Sequence, residues 1–204
     1  SDRIGAKGAR PMSREDNLLK SLDLLQQLGG RESAVTTVKH IPAREGRYVD
    51  YPDDVHPGLV AGFKQKGFER LYVHQHASWK ALREGKNIVV VTPTASGKTL
   101  CYNLPVLNDI LTDPSSRALY LFPTKALAQD QKAELDETIK LLPGEIRIFT
   151  YDGDTPQDAR KAIRARGHIV LTNPDMLHAG ILPHHTKWIK LFENLKYVVI
   201  DELH

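Results

Sequence analysis

The chain has 204 residues, 41% of them hydrophobic and 26% charged, which is enough apolar material for one well-filled core. Its 28 Lys+Arg against 25 Asp+Glu leave a net charge of +3, a mildly basic balance that admits a nucleic-acid partner without arguing for one. A single cysteine, Cys101, excludes a disulfide framework and any cysteine-based zinc site within the chain, and no apolar run reaches the ~18 residues of a membrane helix or opens as a signal peptide, so the default location is cytoplasmic.

Residues 1–12 are small, basic and glycine-containing, and read as a lead-in. A helix is expected from Ser13. Ser13 and Asp16 resemble a capping box, Leu18, Leu22 and Leu25 share a face, and Gly29-Gly30 stops it. Residues 35–50 look extended, and a turn over 51–57 leads into a helix bearing Leu59, Val60 and Phe63, closed by Gly67. Nothing in residues 1–67 carries chemistry, so they read as an accessory segment before a core of residues 68–204. The core opens with a helix over 74–84, closed by Gly85, and a strand over 88–91.

That strand, Ile88-Val89-Val90-Val91, runs into Thr92-Pro93-Thr94-Ala95-Ser96-Gly97-Lys98-Thr99, and Leu100 begins another helical pattern. Strand, small-residue loop, Gly-Lys-Thr and helix is the setting of a phosphate-binding loop. Backbone N–H groups of Thr94, Ala95, Ser96, Gly97, Lys98, Thr99 and Leu100, with the positive end of the helix dipole, favour a polyphosphate. Lys98 would meet the β- and γ-phosphates of ATP and the Thr99 hydroxyl would hold Mg²⁺. The first position departs from the strict motif, since Thr92 stands where glycine is usual and Pro93 donates no hydrogen bond. A bare Gly-Lys-Thr also arises by chance, so the reading needs a partner elsewhere.

Further strands are expected over 118–122, 146–150, 169–172 and 197–201, separated by helices to about 112, to about 141, after Thr155-Pro156, after Asn173-Pro174 and over 187–192. Five short β-rich runs alternating with helices predict an α/β fold, a parallel sheet with helices on both faces. The last strand ends in Asp201-Glu202, at the end where such sheets bind ligands. Asp201 would hold Mg²⁺, mostly through water, and Glu202 would orient or deprotonate an attacking water. The bland reading of Asp-Glu after a strand is a solvated acidic turn. Trp79 and Trp188 fall in apolar helical patterns and read as core, and the histidines show no metal-ligand spacing.

With both motifs placed, the stretches between them resemble those of superfamily 2 DEXH-box helicases. Asp201-Glu202-Leu203-His204 is similar to their DEAD/DEAH box. Pro123-Thr124-Lys125-Ala126-Leu127-Ala128-Gln129 resembles motif Ia, Thr172-Asn173-Pro174-Asp175 motif Ib, and Tyr72-Val73-His74-Gln75 the adenine-recognising Q motif. The wording of residues 91–105, Tyr151-Asp152-Gly153-Asp154-Thr155 and Ile181-Leu182-Pro183-His184-His185 narrows the resemblance to the Hrq-type branch. The resemblance covers residues 68–204. It implies the first RecA-like P-loop NTPase domain of an ATP-dependent DNA helicase or translocase, with ATP and Mg²⁺ as cofactors, a role in DNA repair and a cytoplasmic, nucleoid-associated location in a bacterium.

The resemblance gives Tyr72 and Gln75 to the adenine, Lys98, Asp201 and Glu202 to catalysis, and Pro123, Thr124, Lys125, Gln129, Thr172, Asn173, Pro174 and Asp175 to single-stranded DNA, RNA not being excluded. Pro, Thr, Asn and Asp are also ordinary turn residues, and two acids make Asp152-Gly153-Asp154 a poor phosphate loop. A nucleotide-switched module for RNA or a protein is the rival reading. A second RecA-like domain with its arginine finger is expected outside these residues, and the chain alone is expected to be inactive.

Overall fold

The computed structural model describes residues 20, 23–24, 38–42, 46–85, 87–91 and 97–201. The expected helix from Ser13 therefore lies almost wholly outside the described residues. Eight strands and six helices are used below: β1 (Val38–Pro42), β2 (Tyr48–Val49), α1 (Pro57–Gln65), β3 (Leu71–Tyr72), α2 (Val73–Arg83), β4 (Asn87–Val91), α3 (Lys98–Thr112), β5 (Arg117–Leu121), α4 (Lys125–Ile139), β6 (Ile148–Thr150), α5 (Gln157–Arg166), β7 (Ile169–Thr172), α6 (Ile189–Glu193) and β8 (Leu195–Ile200).

The alternation of strand and helix yields the α/β, RecA-like P-loop arrangement that the sequence predicts, but the parallel strands form two strips. Four of them order as β6–β7–β5–β8, all parallel, and β4 pairs with β1 instead. The strand β1 comes from the stretch expected only to be extended, and it aligns Ile41 with Val90. A short antiparallel pair, β2–β3, brings Tyr48 opposite Tyr72.

Alternation along β5 explains why helices cover both faces. Ala118, Tyr120 and Phe122 pack with Leu104 and Leu107 of α3 and Leu135 of α4, while Leu119 and Leu121 pack with Ile163 of α5, Trp188 and Phe192. In β7, Ile169 and Leu171 join the first layer and Val170 the second. Leu59 and Phe63 of α1 and Trp79 of α2 lie in that first layer as well, so the expected accessory segment shares its core with the strands. Both tryptophans are buried, as their patterns predict. Pro156 is the cap residue of α5, and the Thr155 hydroxyl before it accepts from the Asp152 N–H.

At the N-terminal ends of the strands, the His168 ring ties three of them together. Its Nδ1 accepts from the Arg147 N–H at 2.9 Å, ahead of β6, and its Nε2 lies 3.1 Å from the Pro114 carbonyl, ahead of β5. Only the neutral Nε2–H tautomer satisfies both. Burial and the nearby Arg117 charge hold its pKa below the ordinary 6.5. The folded state thus binds this proton less readily than the unfolded chain. The contribution is complete above pH 6.5, the unfolded value, and is lost as pH falls below it, until the folded form also protonates. Denaturant midpoints measured from pH 7.5 to pH 5 are expected to fall more steeply for the wild type than for His168→Gln; parallel slopes would remove His168 from the acid response.

Candidate nucleotide and nucleic-acid site

Thr94, Ala95 and Ser96 of the expected phosphate loop lie outside the described residues, as does Glu202. The described part begins at Gly97, which caps α3 with φ +84°. A Cβ there would stand 3.2 Å from the Tyr72 ring, 3.3 Å from Gln75 Nε2 and 3.4 Å from His74 Nε2. An L side chain would add about 1–2 kcal/mol of left-handed strain to that crowding. Glycine is therefore required by backbone and space together.

Tyr72, His74 and Gln75 are what crowd it. The Tyr72 ring stacks between the exposed Tyr48 at 4.9 Å and His74 at 5.3 Å. Gln75 is buried, its Oε1 accepting from the Tyr72 N–H at 2.8 Å and its Nε2 donating to the Gly97 carbonyl at 2.9 Å. The expected adenine-reading amide thus also clamps the end of the phosphate loop. Leu100 is 6% exposed and packs in the core, so only its backbone remains for a ligand. Cys101 is equally enclosed, its thiol 3.7 Å from the Gly97 carbonyl and pushed up to about 11 by burial.

The first turn of α3 and the end of β8 meet. Lys98 Nζ lies 2.5 Å from Asp201 Oδ1, an ion pair that is not aligned as a hydrogen bond. The Asp201 N–H bonds the Leu121 carbonyl and extends the β5–β8 ladder by one residue, which fixes the carboxylate at the C-terminal edge of the sheet. The Tyr102 hydroxyl donates to Asp201 Oδ2 at 2.7 Å. Burial, and then the Asp201 charge, push the Tyr102 phenol well above its ordinary range. Sequence reasoning passed over Tyr102. The signal was there, because one turn separates it from Lys98 and Thr99 on the same helix face. Tyr48 gave no signal, since its partner is reached only through the β2–β3 pairing.

Among the described residues no group of three or more His, Cys, Asp or Glu forms a metal site. Thr99 and Asp201 instead offer two hard oxygen ligands, and the Asp201 oxygen facing Lys98 accepts no directed hydrogen bond. That donor set suits Mg²⁺ held mainly by phosphate and water.

The nucleic-acid candidates cluster at the C-terminal ends of β5 and β7, where Leu121 pairs with Thr172 and the Phe122 N–H bonds the Thr172 carbonyl. Thr124 caps α4 by accepting from the Leu127 N–H at 3.2 Å, with Pro123 half-buried beside it and Gln129 exposed in the next turn. Lys125 is paired with Asp154 at 2.7 Å, which raises the lysine pKa and lowers that of the acid. Asp154 is presented by a turn in which its N–H bonds Asp152 Oδ1. Thr172 corrects the expectation. It is 2% exposed and its hydroxyl donates to the Tyr151 carbonyl at 2.6 Å, so its side chain is spent on the sheet. Asn173 caps the turn Pro174–Met176 through the Met176 N–H, and Asp175 is the exposed member of that loop. Surface clefts beside Tyr51 and Lys64 and beside Asp136 and Ile146 lie elsewhere and assemble no catalytic groups.

Residues 72–204 match the protein family described as DEAD/DEAH box helicase. Over 186 residues the chain is 55% identical to the ATP-dependent helicase YprA of Bacillus subtilis, covering 91% of this chain and 25% of that protein. It is 38% identical over 187 residues to the ATP-dependent helicase HRQ1 of Saccharomyces cerevisiae, covering 89% of this chain and 17% of that one. The chain therefore spans a quarter or less of these relatives. Among solved structures, the DUF1998 helicase MrfA bound to DNA and AMPPNP is similar with a TM-score of 0.75 and 53% identity, covering 88% of this chain and 25% of that one. The helicase Lhr of Mycobacterium smegmatis, bound to ssDNA and AMP-PNP, is similar with a TM-score of 0.62 and 25% identity, covering 74% of this chain and 21% of that one.

Proposed function

Because the chain belongs to the DEAD/DEAH box helicase family, we propose that it is the first RecA-like domain of an ATP-driven motor that moves on single-stranded DNA in DNA repair. The observation that carries this reading is the meeting of Lys98 and Tyr102 with Asp201. It joins a phosphate-loop helix to the acid of the second motif although the two are far apart in sequence. The similarity to DNA-bound MrfA and Lhr supports DNA as the polymer.

On this reading Lys98 leaves Asp201 and turns its ammonium to the β- and γ-phosphates. Thr99 and Asp201 are the residues that would hold Mg²⁺, whose charge would stabilise phosphoryl transfer. Gln75 keeps the end of the loop in place and its neighbour Tyr72 flanks the base. Glu202 orients or deprotonates the attacking water. Thr124, Lys125, Gln129, Asn173 and Pro174 line the strand track, with backbone N–H groups at the start of α4 offered to phosphates. Lys125 reaches a phosphate by giving up Asp154, so Asp154 competes with the polymer for the same ammonium. ATP turnover by the full-length protein with single-stranded DNA, single-stranded RNA or neither tests the reading. Stimulation by DNA above RNA is expected; stimulation by RNA alone, or by neither, would favour a nucleotide-switched module.

A further inference from the structure

Tyr102 is bonded to the carboxylate placed at the Mg²⁺ position. Its hydroxyl donates to Asp201 Oδ2 at 2.7 Å, which leaves Oδ1 for other partners. The geometry points to Tyr102 as the positioning residue that aims Asp201 at the cation, and so sets how tightly it is held. This inference rests on the nucleotide reading above.

The chemistry follows from what a carboxylate ligand needs. A carboxylate pinned at Oδ2 cannot rotate freely, so Oδ1 stays on the Lys98 side. The Tyr102 ring is itself held edge-on against Tyr120, at 5.4 Å and 88°. Tyr120 takes no part in this contact, because its own hydroxyl donates to Asn103 Oδ1 at 2.8 Å. Tyr102 stands on α3, so the contact is set by helix geometry rather than by a loop. Partners that orient metal ligands typically govern affinity by about 10–100-fold.

The test uses the full-length protein with ADP and Mn²⁺, reading free Mn²⁺ by electron paramagnetic resonance. Tyr102→Phe keeps the ring and deletes the hydroxyl that holds Asp201 Oδ2. Its Mn²⁺ affinity at saturating ADP is expected to fall at least about 10-fold, while ADP affinity in the absence of divalent cation stays at the wild-type value. Tyr120→Phe deletes a buried hydroxyl from the same aromatic cluster without touching either ligand, and is expected to hold Mn²⁺ as the wild type does. Unchanged Mn²⁺ affinity in Tyr102→Phe overturns the proposal, and so does an equal loss in both variants, which would make the effect one of core packing. A wild-type protein that binds ADP but takes up no Mn²⁺ with it would overturn the Thr99–Asp201 site itself, and the proposal with it.

Discussion

Lys98→Ala is expected to weaken ATP binding by about 30-fold to several thousand-fold, since truncating one member of a desolvated charge pair costs roughly 2–5 kcal/mol and each 1.4 kcal/mol is tenfold. Two effects combine in this variant. It removes the ammonium that the first turn of α3 directs to the phosphates. It also leaves Asp201, 6% exposed, without the cation 2.5 Å away. An unopposed buried carboxylate would then face an incoming polyphosphate, adding repulsion to lost attraction. Titration with a fluorescent ATP analogue checks this, with a thermal melt showing that the variant is folded. An affinity within threefold of wild type would sink the phosphate-loop assignment.

Asp201→Asn separates charge from shape. The amide oxygen can still accept from Tyr102, so the β8 end and its Leu121 bond are expected to survive. What is lost is a negative ligand for the cation, whose stabilisation of transition-state charge is worth several kcal/mol. At 1.36 kcal/mol per tenfold in rate, turnover in the full-length protein is expected to drop by at least about 100-fold. Its amide N–H₂ would also confront the Lys98 ammonium, two donors without an acceptor, so Lys98 is freed for phosphate. Nucleotide binding without divalent cation is therefore expected to persist. Turnover near the wild-type rate would exclude Asp201 from the chemistry.

The sequence carried those elements whose physics is local. The unbroken apolar runs at residues 118–121 and 169–171 specify strands buried on both faces, and Leu100, Leu104 and Leu107 specify the inner face of α3. Gly97 and Asp201 were legible as the ends of a loop and of a strand. What could not be read is pairing between remote segments. Residues 38–42 have no feature that sends them to β4, because register there depends on a partner more than forty residues later. The Lys125–Asp154 pair is hidden for the same reason: each residue looks like an ordinary solvated charge until two loops meet. Thr172 was misread because a strand-end hydroxyl can face a ligand or its own sheet, and only the Tyr151 carbonyl decides which.

The division of the strands into two strips reaches beyond architecture. β4 leads into the phosphate loop and β8 carries Asp201, and among the described residues no ladder of backbone hydrogen bonds joins them. α3 spans the seam, through Lys98 and Tyr102 to Asp201. Leu104 and Leu107 of the same helix pack in one apolar core with Tyr120 of β5 and Trp79 of α2. On the proposed reading, a change at the nucleotide therefore reaches the strands on either side through one helix whose other face the core holds.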